Sequence, residues 1–359
     1  GLAKYDGSAL YEYPNNDVGI SEWGSNNFMH SRGEVRSFLQ SCANYWLQTF
    51  HFDGLRMDAI SRIIYWHGDE KRGVNGNAVD FIKYMNQGLK DRNPGCFLAA
   101  EDSTNFSNVT KSVSEGGLGF DYKWDMGWMH DTLSYFQMSP DDRYNNYHKL
   151  TFSMMYYYNE KFLLPLSHDE VVHGKATILQ KMYGDYDIKF PQARAFYMYM
   201  MVHPGKKLNF MGNELGQFRE WDEKREQDFM LLDFPIHRAF NNYIADLNKN
   251  YLSHSAFFGK EYDYDGFKWL DCNSPDRLMY SILREDNKSR IFAIFNFSKY
   301  EQIDYRIELP DNKGVNILMN SDWKCYGGNA DENNVFWHID GNTLTCTMPR
   351  FSAALFELK

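Results

Sequence analysis

Three short apolar runs that each end in a carboxylate constrain this chain most. They are "HFDGLRMD", ending at Asp58, "CFLAAE", ending at Glu101, and "KFLLPLSHD", ending at Asp169. Read as a strand, the first sends alternate side chains to opposite faces. Phe52, Gly54, Arg56 and Asp58 then share one face, and Arg56 and Asp58 become neighbours. Around these runs the period changes. Val35, Phe38, Leu39, Cys42, Ala43, Trp46 and Leu47 fall at helical spacing, after a capping-box pair of Ser31 and Glu34. Phe81, Ile82, Met85 and Leu89 form a second helical face, stopped by "RNPG". Further helices are expected from about Pro191 to Val202 and from Arg238 to Asn250.

Strands alternating with helices predict a parallel sheet. About five strands are expected, near residues 52–58, 96–101, 119–124, 163–168 and 208–211. In α/β barrels the chemistry sits at the C-terminal ends of the strands. A single acid there caps the next helix as a rule. Asp58, Glu101 and Asp169 at three such ends point to a site instead.

A closed barrel of this kind has eight strands. The fold class expected is therefore α/β: an incomplete TIM (β/α)8 barrel followed by an all-β sandwich. Residues 1–257 are read as the C-terminal part of the barrel and residues 258–359 as the sandwich. The second part shows "LMYSILRE", "RIFAIFNFS", "IDYRIELP", "GVNILMNS", "NVFWHID", "NTLTCTMP" and "SAALFELK", separated by Asn, Asp, Gly and Pro turns. The chain opens with Gly1. It is expected to be a piece of a longer enzyme that supplies the first barrel strands, and to be inactive alone.

The formal charge is −10, with no basic stripe, which argues against nucleic acid or an anionic membrane as partner. A neutral polymer is not repelled. The five cysteines are scattered and form no Cys-x-x-Cys pair, as in reduced cytosolic proteins. With no signal peptide and no long apolar run, a cytoplasmic location is expected. His168 and His173 flank Asp169 and Glu170, but zinc-protease histidines stand at i and i+4. No metal and no cofactor is expected.

Glycosyl transfer with retention needs a carboxylate nucleophile, a second carboxyl as acid then base, and groups that stabilise the oxocarbenium-like state. Asp58, kept ionised by Arg56, suits the nucleophile. Glu101, behind an apolar run, suits the acid/base. Asp169 beside His168 suits sugar hydroxyls. Trp23, Trp124, Trp128, Trp221 and Tyr11 are candidate stacking rings, since aromatic content is 17%. His173 and Lys175 are placed in a loop near the sugar cleft.

"DGLRMD", "AAEDST" and "LPLSHDEVVHGK" resemble three conserved regions of the α-amylase superfamily. "AEDST", "SHDEVVHGK", "GFDYKWDMGWMHDTL", "NFMGNELGQFREW" and "LLDFPIHR" resemble in particular the 1,4-α-glucan branching enzymes. The likeness runs from Tyr5 to Lys359. It implies Asp58 as nucleophile, Glu101 as acid/base, Asp169 as transition-state stabiliser, and Arg56 and His168 in the same sugar subsite. It also implies an α-glucan substrate: glycogen, amylose or amylopectin. Two departures stand out. "QDFMLL" replaces the family's "DWHLL", and the family's first conserved region does not precede Tyr5. The same acids serve an α-amylase-type hydrolase, so branching and hydrolysis stay open on the triad alone. A non-catalytic glucan-binding protein is the third reading.

Overall fold

The computed structural model describes residues 3–359. They gather into two compact units: residues up to Met126 with Asn159–Leu163, and Gly127–Tyr158 with Leu164–Lys359.

In the first unit, helix α1 (Gly33–Thr49) leads into strand β1 (Gly54–Met57). Helix α2 (Gly76–Arg92) leads into β2 (Phe97–Ala100), and β3 (Tyr122–Trp124) follows. Parallel pairing joins β1 to β2, β2 to β3, and β3 to the opening residues of β4 (Phe162–Leu166). Gly54 is required where β1 meets β2, because a Cβ there would lie 2.4 Å from the Phe97 carbonyl oxygen. The Asn75 side chain caps α2 by accepting from the Ala78 amide at 3.3 Å. The face expected for α2 is buried: Phe81, Ile82, Met85 and Leu89 join Leu98, Ala100, Leu118 and Phe120 in one core. Full burial of each large side chain contributes about 1.5–3 kcal/mol.

Two expectations for α1 need correction. Its N-cap is Arg32, with no side-chain cap bond, so Ser31 and Glu34 form no capping box. The helix begins at Gly33, leaving Ser31 outside the cap position. Val35 and Leu47 are buried, but Phe38 and Trp46 lie open. The apolar stripe is wider than the surface that covers it.

The second unit holds helix α3 (Met126–Gln137), helix α4 (Tyr186–Val202), strand β5 (Lys206–Asn209) and helix α5 (Pro235–Ser253). The strands run in the sheet order β1-β2-β3-β4-β5, five strands as expected. Helix α4 begins a turn before Pro191, with Asp185 as N-cap; the proline lies inside the helix rather than at its start. From Ala193 to Val202 every residue of α4 is buried, so it is enclosed on all sides.

The antiparallel part comprises β6 (Phe267–Ser274), β7 (Met279–Glu285), β8 (Arg290–Asn296), β9 (Gln302–Glu308), β10 (Val315–Asn320), β11 (Trp337–Asp340), β12 (Thr343–Met348) and β13 (Ser352–Leu358). They form a sheet of order β10-β13-β8-β7-β6 and a smaller one of order β11-β12-β9. Between them lie Met279, Leu283, Phe292, Ile294, Leu344 and Phe356. Strand β6 was not expected: the polar–apolar alternation of its "FKWLDCNS" breaks after Trp269, and its pairing with β7 slips twice.

Buried arginines fasten these sheets to the helices of the same unit. Arg284 donates to the carbonyls of Gly266, Val202 and Phe257 at 3.0, 2.9 and 2.9 Å. Arg143 donates to Phe297 O at 2.9 Å and Phe136 O at 3.0 Å. Arg194 donates to Ser321 O at 2.6 Å. No helix among the described residues is long and apolar enough to cross a membrane.

Candidate active site

Strand register builds the group in the first unit. Arg56 stands opposite Ala99, and Met57 opposite Ala100. The Glu101 amide donates to Met57 O at 3.0 Å, so Glu101 leaves β2 beside the end of β1. Ala59 takes a left-handed conformation, φ 41°, which turns the chain immediately after Asp58. A non-glycine residue there costs of order 1–3 kcal/mol, and such outliers gather at functional sites.

Arg56 organises the group. Its Nη2 donates to Asp58 Oδ1 at 2.9 Å, and the same nitrogen pairs with Glu101 Oε2. Its guanidinium carbon lies 4.1 Å from the centroid of the Trp124 ring. The ring face attracts the cation and supports it from one side. The Asp58 side chain is 77% exposed and that of Glu101 19%. Asp58 is open to an incoming ligand; Glu101 is sheltered.

Adjacent in sequence to Glu101 and Trp124 is an ion pair that sequence reasoning missed. Lys123 Nζ bonds Asp102 Oδ2 at 2.8 Å and Thr104 O at 3.0 Å, with the Asp102 side chain fully buried. Thr104 donates back to Asp102 Oδ1 at 2.9 Å from its hydroxyl and 3.1 Å from its amide. Asp102 follows Glu101 directly, and neighbours on extended backbone face opposite ways. That alternation was the available signal.

The second unit carries its own group of candidate residues. Ser167 Oγ accepts from the Asp169 amide at 3.2 Å and starts a short helical turn beyond β4. His168 Nε2 lies 3.4 Å from Asp169 Oδ1. The His168 ring packs near Phe210 and Trp221, which meet edge to face at 5.3 Å. A cavity of about 400 Å³ is lined by His168, His173, Arg219, Glu220 and Trp221. Glu220 accepts from the Gly174 amide at 2.9 Å and the Ala176 amide at 2.7 Å. These backbone donors hold its carboxyl below the usual range. Lys175 is exposed in the same loop.

The structure thus brings Arg56, Asp58, Glu101 and Trp124 together in one unit, and His168, Asp169, His173 and Trp221 in the other. Tyr11 and Trp23 have other neighbours. Tyr11 lines a separate cavity of about 600 Å³ with Glu12, Phe28 and Phe38. The exposed Trp23 ring carries Arg62, 4.9 Å from its centroid. Trp128 is buried against His203 and is core. Among the described residues, no group of three or more His, Cys, Asp or Glu is arranged to hold a metal ion.

Residues 269–359 match the family described as the alpha amylase C-terminal all-beta domain. The 1,4-alpha-glucan branching enzyme GlgB of Bacillus cereus (strain G9842) is 41% identical over 93% of this chain and 52% of its own length. GlgB 1 of Clostridium perfringens (strain SM101 / Type A) is 41% identical over 99% of this chain and 56% of its own. The chain therefore spans about half the length of the curated relatives it matches. Among solved structures, a Nostoc punctiforme debranching enzyme superposes with TM-score 0.67 at 15% identity, covering 94% of this chain and 65% of that one. An alpha-amylase of Geobacillus thermoleovorans, complexed with acarbose, gives 0.65 at 15% identity, over 99% and 72%. Those likenesses establish the α-amylase fold.

Proposed function

We propose that this relative of the 1,4-alpha-glucan branching enzymes is part of such an enzyme and carries its reacting carboxylates. The observation that carries the reading is Arg56 bridging Asp58 and Glu101 at adjacent strand ends. Asp58 attacks the anomeric carbon of an α-1,4-linked chain and forms a glycosyl ester. Glu101 protonates the departing oxygen, then takes the proton of the incoming 6-hydroxyl. Its ion pair with Arg56 must loosen for the first of these steps, and an entering sugar that claims Arg56 would loosen it. Asp169 and His168 hold sugar hydroxyls and favour the charged transition state. His173, Lys175 and Trp221 contact the glucan from their loop and cavity, and Tyr11 and Trp23 offer outlying stacking surfaces.

Further strands are needed to close a barrel of eight, so activity is assigned to the complete enzyme and not to these residues alone. The substrate is an α-glucan such as glycogen, amylose or amylopectin. The five free cysteines suit a reducing cytoplasm.

Amylose treated with the complete enzyme tests the reading. Branching removes the iodine colour while reducing ends stay constant. A rise in reducing ends in step with colour loss would make it a hydrolase. Binding without either change would leave a glucan-binding protein.

A further inference from the structure

The loop from Ser167 to Ala176 carries Asp169 and His173, and it is held in an unfavourable shape. His173 and Ala176 adopt φ of 58° and 68°, with Gly174 between them at 78°. Side chains rarely tolerate that region, so surrounding contacts must enforce it. Two residues supply them. From one side, Lys181 Nζ donates to the carbonyls of Glu170, Lys175 and Ala176 at 2.5, 2.7 and 2.5 Å. An ammonium has three donors, and three carbonyls take them. From the other side, both Glu220 oxygens accept loop amides, those of Gly174 and Ala176. The next residue, Trp221, donates its amide to Val171 O at 3.0 Å.

Lys181 itself is anchored. It ends a single helical turn capped by Thr177 and Gln180, whose side chains and amides bond reciprocally. It is buried, and its charge faces Glu170 and Glu220. A lysine withdrawn from water at the cost of desolvation, with every donor spent on one loop, has that loop as its purpose.

We propose that Lys181 and Glu220 form a two-sided clamp that positions the loop bearing Asp169 and His173, an inference that rests on the proposed role of Asp169. Glu220 lines the cavity beside His168, yet its carboxylate is occupied by backbone. It is a positioning residue and not a sugar ligand.

Amide hydrogen exchange on this 359-residue chain tests the clamp without any glucan. In Lys181→Met, the Gly174 and Ala176 amides keep Glu220 as acceptor. They exchange faster only if Lys181 holds the loop against it. The expected result is about tenfold faster exchange across residues 168–177, with β7 protected as in the native chain. Glu220→Ala is expected to speed the same segment, including residues 168–173, which Glu220 does not bond. Unchanged exchange at residues 168–173 in Glu220→Ala, or at 174 and 176 in a folded Lys181→Met, overturns the clamp. If Lys181→Met loses protection in β7 as well, the Glu220→Ala result decides alone. In the complete enzyme both variants should lower kcat, because Asp169 acts on the charged transition state. Failure of the branching reading shows separately, in the iodine and reducing-end assay.

Discussion

Arg56 illustrates how one side chain can define a site. It meets two carboxylates and an aromatic face together, a combination that suits a planar guanidinium better than a lysine ammonium. Its pairing with Asp58 was legible from strand alternation, because i and i+2 share a face. Its pairing with Glu101 was not, since nothing in a sequence sets the register between β1 and β2. Another residue carries a pH dependence. His203 is fully buried, and its Nδ1 lies 2.7 Å from the carbonyl of Pro204. A carbonyl only accepts, so Nδ1 bears the proton and Nε2 accepts from Ser153 Oγ at 2.9 Å. Burial pushes its pKa down from 6.5 to about 3. The unfolded chain therefore binds a proton between those values that the folded chain refuses. Stability should fall as pH drops from about 6.5 toward 3, by roughly 4 kcal/mol from this residue. Urea unfolding of native and His203→Gln protein across that range checks it. The variant's pH slope should be shallower, and identical slopes would rule the histidine out as the cause.

Among the elements, those with unbroken periodicity were readable, and those shaped by neighbours were not. Helix α2 announced itself through Phe81, Ile82, Met85 and Leu89. Helix α1 had as good a pattern, yet Phe38 and Trp46 lie open, because a pattern records what can be buried and not what is present to cover it. Strand β6 was missed because "FKWLDCNS" breaks alternation where its register slips. Helix α3 was not among the expected helices: the strand expected near residues 119–124 runs into "MGWMHDTLSYFQ" with no Gly or Pro between them to mark a new element. The arginine fasteners between helices and sheets carried no sequence signal at all. Arg284 donates to three carbonyls from a fully buried position. Arg284→Met keeps the volume and strands those acceptors, at a cost of about 3–5 kcal/mol. Thermal unfolding should show a drop of several degrees, and an unshifted midpoint would mean that the carbonyls find other donors.

For the whole molecule, the strand count and the exposed surface point the same way. Among the described residues strand β1 ends the sheet order, and an unpaired parallel edge invites association. In the same unit Trp46, Phe50 and Phe52 form an exposed aromatic cluster, with Trp46 centred 4.8 Å from Phe50 and 5.5 Å from Phe52. The chain alone should self-associate, and light scattering after size exclusion measures this. A monodisperse monomer at tens of micromolar would show that the edge and cluster are tolerated in water. The chemistry assigned to the complete enzyme turns on Asp58, the most exposed member of the Arg56 group. Substituting Asp58→Asn in the complete enzyme tests that directly, with branching turnover and glucan binding measured side by side. As nucleophile, Asp58 requires turnover to fall by roughly 10⁴-fold or more while binding persists. Turnover within tenfold of native would remove Asp58 from the reaction and with it the mechanism proposed for this site.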